Sequence, residues 1–195
     1  MCNTVQSGVS CTRADSGKFH IKNLLRSKLY IQTGANANRL CDGKIKIIMR
    51  NLKVFISYNG AAYHGFQRQD NAITVQEVLE KALGKLLKIP PPTVYGCSRT
   101  DAGVHARRFC FNAHIDSSIP CDGFVKGMNT LLPRDIAVLS CEDADEEFHA
   151  RYCAKGKEYV YLIRTKPQRD VFLQNLAYHY PYKPDIAAMN RAAHL

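Results

Sequence analysis

From Leu52 onward the chain switches between two hydrophobic periods. In "LKVFISY" (52–58), Val54, Ile56 and Tyr58 alternate with Phe55 and Ser57, which is the two-residue period of a strand. A loop containing Gly and Asn, "NGAAYHGFQRQDNA", follows. "TVQEVLEKALGKLLKI" then sets Val75, Val78, Leu79, Ala82, Leu83, Leu86 and Leu87 at helical spacing, and Thr74 with Glu77 has the form of a capping box. Pro90, Pro91 and Pro92 end that helix and lead into a strand, "TVYGCS".

The pattern continues after a short polar loop. "RRFCFNAHI" alternates Phe109, Phe111 and Ala113 with Cys110, Asn112 and His114, "CDGFVKGMNTLL" reads as a short helix and "DIAVLSCEDA" as a strand. "KGKEYVYLIRT" reads as a strand with Tyr159 and Tyr161 on one face, and "KPDIAAMNRAAHL" starts a further helix. The order β-α-β-β-α-β, then more β and α, predicts an α+β fold with a split-βαβ (ferredoxin/RRM-like) domain and a largely antiparallel sheet. The expected division is a tail over 1–48, a first α+β domain over 49–146, and the beginning of a second, incomplete α+β domain over 147–195.

The tail lacks sustained periodicity and reads as unstructured or weakly structured. Residues 1–50 carry nine of the 27 Lys and Arg but only Asp15 and Asp42 among the 17 acids, so most of the formal +10 charge sits there. A basic, acid-poor start has the composition of a mitochondrial transit peptide; the other reading is a mis-assigned start, with translation beginning at Met49. The rest of the chain is nearly balanced, so net charge alone does not make it a nucleic-acid binder. The eight cysteines form no C-x-x-C pair and no signal peptide precedes them, which points to reduced thiols in a cytosolic protein and not to a zinc ribbon or a disulfide framework. No apolar run approaches the ~18 residues of a membrane span.

"GCSRTDAGVHARR" (96–108) is the segment that this background does not explain. Asp-Ala-Gly by itself is a turn signal, because Asp hydrogen-bonds nearby backbone and Gly supplies positive φ. Here, however, Asp101 stands among Arg99, Arg107 and Arg108, between two strands. A carboxylate in such a loop can attack covalently or stabilise developing positive charge. Arg99, two residues away, can hold it ionised.

"SRTDAGVHA" (98–106), with "YHGFQRQ" (63–69) and "TVQEVLEKAL" (74–83) before it, resembles the tRNA pseudouridine synthase A family. "MNTLLPRDIAV" (128–138), "FHARYCAKGKEYVY" (148–161) and "AAMNRAAHL" (187–195) are similar to that family too, in family order. Phe66 stands where Trp is common and Met128 where Leu is common. Members of the family continue past this point with more sheet and a basic segment that helps form the cleft, so the chain reads as the first part of such an enzyme.

The resemblance implies isomerisation of uridine to pseudouridine in tRNA, in the anticodon stem-loop, with Asp101 as nucleophile and Arg99 beside it. Tyr159 is implied to lie against the target base with its hydroxyl available at C5, although an aromatic on a strand is more often core. Neither a metal nor an organic cofactor is required. Arg68, Arg107, Arg108, Arg151, Lys155 and Lys157 are candidate phosphate contacts. tRNA is the implied partner, a homodimer the implied state, and the cytoplasm the implied location, or the mitochondrion if the tail is a transit peptide. His64, His105 and His149 have no metal-ligand spacing. Ser98 and His105 lack the nucleophile-elbow pattern of a hydrolase. A non-catalytic RNA-binding module is the competing class, and Asp101 argues against it, since a carboxylate in a basic loop repels phosphate.

Overall fold

A computed structural model of the chain describes residues 49–194 and the backbone of two earlier strands. The strands are β1 (Gly8–Arg13), β2 (Lys18–Leu24), β3 (Met49–Tyr58), β4 (Tyr95–Gly96), β5 (Ala106–Asp116), β6 (Ile136–Ala144), β7 (Tyr159–Arg164) and β8 (Tyr178–His179). The helices are α1 (Val75–Leu87), α2 (Cys121–Leu131) and α3 (Ile186–Ala192). They fall into two compact units, Ile31–Ala154 and Met1–Tyr30 with Lys155–Leu195.

In the first unit the sheet order is β4-β5-β3-β6 and every pairing is antiparallel. The central strands are buried on both sides, one of them apolar and the other mixing Phe55 and Cys110 with Asn51, Lys53 and Asn112. Leu52, Val54, Ile56 and Tyr58 of β3 join Phe109, Phe111, Ala113 and Ile115 of β5 in a core closed by Val75, Leu79 and Leu83 of α1 and Phe124 and Met128 of α2. Fully burying a side chain such as Phe111, Phe124 or Leu79 contributes roughly 1.5–3 kcal/mol. On the opposite side Phe55, Cys110 and Ala150 form a smaller cluster with Cys97 and Phe148.

That second side is covered by the chain itself. Asn51 donates to the carbonyls of Asp145 (2.9 Å) and Phe148 (2.8 Å), while Asn112 donates to Asn51 Oδ1 (3.0 Å) and accepts from the Ala150 amide (2.9 Å). Lys53 is buried between the rings of Phe55 and Phe148 and pairs with Glu142. Residues 147–154, expected at the start of a second domain, therefore pack with the first unit.

α1 follows its pattern closely, with one difference. Thr74 accepts the Glu77 amide as N-cap, but the Glu77 carboxylate turns to Lys81 (2.6 Å), so only half of the expected capping box forms. The expected strand "TVYGCS" is reduced to Tyr95–Gly96, since the prolines before it cannot donate to a ladder; Cys97 still donates to the Cys110 carbonyl at 2.9 Å.

The second unit has the sheet order β1-β2-β7-β8, with β2 antiparallel and β8 parallel to β7. Part of the expected tail is thus strand: "KFHIKNL" (18–24) satisfies backbone groups along one edge of β7 that would otherwise be unpaired. The rest of the 1–48 expectation lies outside the described residues. α3 is capped by Asp185, which accepts the Ala188 amide at 2.9 Å. No helix among the described residues is long and apolar enough to cross a membrane.

Candidate active site

The loop 97–105 leaves the sheet at the β4 end and returns at the start of β5. Its shape is fixed by the neighbouring loop 59–66, backbone against backbone. The Gly103 amide donates to the Tyr63 carbonyl (3.1 Å), and the Gly60 amide to His105 Nδ1 (3.1 Å). Tyr58, at the end of β3, reaches Thr100 Oγ1 at 3.2 Å. The Val104 amide returns to the Asp101 carbonyl at 3.3 Å and closes the turn, with Gly103 at φ +77°.

Two glycines permit this contact. A Cβ at Gly60 would stand 1.9 Å from the Val104 carbonyl oxygen, and one at Gly65 would stand 2.1 Å from that of Thr100. Gly65 also has φ +83°, a conformation that side chains disfavour. Phe66 stacks on Phe109 at 4.3 Å and lies so close to Gly96 that a side chain there would strike the ring. The loop 59–66 is held in turn from β6: Tyr63 donates to Asp135 Oδ1 at 2.8 Å and Asn59 to the Asp135 carbonyl at 2.8 Å. Burial, followed by the Asp135 contact, raises the Tyr63 hydroxyl pKa, and burial raises that of Tyr58.

Above this rigid base Asp101 and Arg99 are exposed, as are Ala102 and Val104. Neither charged group is in an ion pair among the described residues. The loop therefore presents a carboxylate and a guanidinium to solvent from a fixed backbone, which suits an incoming substrate.

The candidate cations differ in their surroundings. Arg107 and Arg151 are exposed. Arg108 lays its guanidinium over the Phe55 ring, 4.3 Å from the centroid. Arg68 is held by Glu80 at 2.8 Å, and Glu80 also accepts Gln76 Nε2 and the Val94 amide, so Arg68 already has a structural task. Tyr159, Lys155 and Lys157 belong to the other unit. All three are exposed there, and Tyr159 (53%) and Tyr161 (68%) are both outside any core.

His105 is a structural acceptor, and His149 contacts the rings of Tyr95 and Tyr152. Cys97, Cys110, Cys121, Cys141 and Cys153 are thiols. Burial pushes the Cys110 thiol up to about 12, while Cys153 is exposed. The periodicity gave no sign of the Asn51–Asn112 network or of the Tyr95–His149–Tyr152 contact, because these partners are distant in sequence. The aromatic beside Arg151 in "HARY" is the available signal.

The fold and loop define an α+β domain that presents an exposed carboxylate and guanidinium on a backbone-locked turn. The family described as tRNA pseudouridine synthase matches residues 54–153, and the chain belongs to that family. Similar proteins include the tRNA pseudouridine synthase A of Ruminiclostridium cellulolyticum, 48% identical over 145 residues, and that of Acetivibrio thermocellus, 44% identical over 145 residues. That of Clostridium kluyveri is 46% identical over 138 residues. The first two alignments cover 74% of this chain and 59% of the relative, and the third 71% and 56%. The chain thus spans less than two thirds of the length of these relatives.

Proposed function

We propose that the chain carries the nucleophile loop of a tRNA pseudouridine synthase and acts in the isomerisation of uridine to pseudouridine in the anticodon stem-loop. The observation that carries this reading is the exposed Asp101 on a turn fixed by Gly60 and Gly65, inside the family match. In the reaction the C1′–N1 bond breaks, the base turns, and a C5–C1′ bond forms. The C5 proton leaves to an acceptor and N1 gains one, so no atom is lost overall. Asp101 attacks as nucleophile or stabilises the cationic sugar. Arg99 fills the gap left by the flipped base, and Tyr159 lies against the base near C5. The chain's own groups supply the step, without metal or organic cofactor.

Arg107, Arg108, Arg151, Lys155 and Lys157 hold tRNA phosphates, with Arg68 contributing from its Glu80 anchor. The strand order β4-β5-β3-β6 supports the split-βαβ (ferredoxin/RRM-like) reading of the first domain. β7, β8 and α3 supply the beginning of a second α+β domain. The working form is a cytoplasmic homodimer with tRNA bound across two subunits. The 59% coverage of the relatives favours a second reading, in which this length of chain binds tRNA without turning it over.

In a protein of the relatives' full length, Asp101→Asn abolishes tritium release from C5-labelled uridine in tRNA while filter binding of tRNA changes less than about threefold. The amide is too poor a nucleophile to replace the carboxylate. Undiminished release by the Asn variant would falsify the assignment.

A further inference from the structure

Tyr95, His149 and Tyr152 form a run of three rings on the sheet side opposite the helices. Tyr95 and His149 are 5.2 Å apart between centroids, and His149 and Tyr152 are 4.4 Å apart with planes 37° from parallel. His149 Nδ1 accepts the Arg151 amide at 3.2 Å, which fixes the ring. Tyr95 is opposite Asn112 in the β4–β5 register, and Asn112 pins the Ala150 amide, so the platform is built on the buried asparagine network.

The outer ring is left bare: Tyr152 is 81% exposed. A large aromatic held in place, yet uncovered, can stack on another flat ring. Its neighbour in the chain, Arg151, is an exposed cation. A flat aromatic partner that also carries negative charge is a nucleotide. The loop bearing Asp101 departs from the sheet at Cys97, two residues beyond Tyr95, or roughly 7 Å of strand rise.

We propose that Tyr152, backed by His149 and Tyr95, is a stacking seat for an unpaired nucleobase flanking the target uridine, with Arg151 on that nucleotide's phosphate. This rests on the RNA reading above and adds to it a contact outside the nucleophile loop. Stacking accepts any base, so the seat positions the strand without reading its sequence.

The chain contains no tryptophan, so Tyr152→Trp provides a single indole reporter. In the 195-residue chain, tRNA and oligouridylate quench that indole in step with binding, whereas an abasic oligonucleotide of equal length and charge binds without quenching. Tyr152→Ala weakens oligouridylate binding by about 5- to 100-fold and leaves the salt dependence unchanged, since no phosphate contact is lost; Tyr152→Phe retains the affinity. Binding of tRNA with no quenching and no loss in the Ala variant overturns the seat and spares the RNA reading. Equal quenching by the abasic strand also overturns the seat. Absence of any RNA binding overturns both.

Discussion

Gly65 shows how closely the site depends on single atoms. Gly65→Ala must open the 2.1 Å approach to Thr100 and hold a side chain at φ +83°, and it is expected to destabilise the first unit by more than about 2 kcal/mol in urea unfolding. At the thiols, iodoacetamide at pH 8 labels Cys153 rapidly and Cys110 only on unfolding, because the first is exposed and burial holds the second protonated. Mass mapping of the alkylated peptides reads this directly, and early label on Cys110 would refute it. Asp101 and Arg99 stood out as candidates because the string around them is specific. The contact of Tyr95 with His149 gave no such sign, since residues 54 positions apart leave no local pattern.

Tyr63 ties the loop 59–66 to the start of β6, and its hydroxyl is protonated in the bond to Asp135. Its folded pKa is raised above the usual value of 10, as is that of Tyr58. Above pH 10 the unfolded chain therefore releases protons that the folded chain retains. The stability linked to these groups is fully present below pH 10 and declines as pH rises beyond it. Tyr63→Phe is expected to flatten that decline in urea titrations between pH 9 and 11; an unchanged slope would show that this hydroxyl does not titrate in the coupled range. β3, β5 and both helices of the first unit were readable from period alone, since each buries a regular face. β8 was not, being two residues long and positioned by pairing with β7. Nor was the docking of residues 147–154, which depends on Asn51 and Asn112, polar residues that a hydrophobic pattern assigns to solvent.

All residues of both buried clusters lie between Leu52 and Ala150, so the first unit contains its own core. A fragment of residues 49–154 is expected to unfold cooperatively in urea, with matching far-UV circular dichroism and tyrosine-fluorescence transitions; a non-cooperative melt would mean that its core needs the second unit. The expected division into a tail and two α+β domains came from the succession of elements, whereas the pairing of β2 with β7 joins segments more than 130 residues apart, beyond the reach of any local signal. The interlocked loops also separate two kinds of selection. A library of variants sorted for folding alone retains Gly60 and Gly65, where no side chain fits, and drifts freely at exposed Asp101 and Arg99. On the proposed function, the same library built in a protein of the relatives' full length and sorted for tRNA modification is expected to keep all four, so the difference between the two surviving populations would map which positions serve the scaffold and which serve the chemistry.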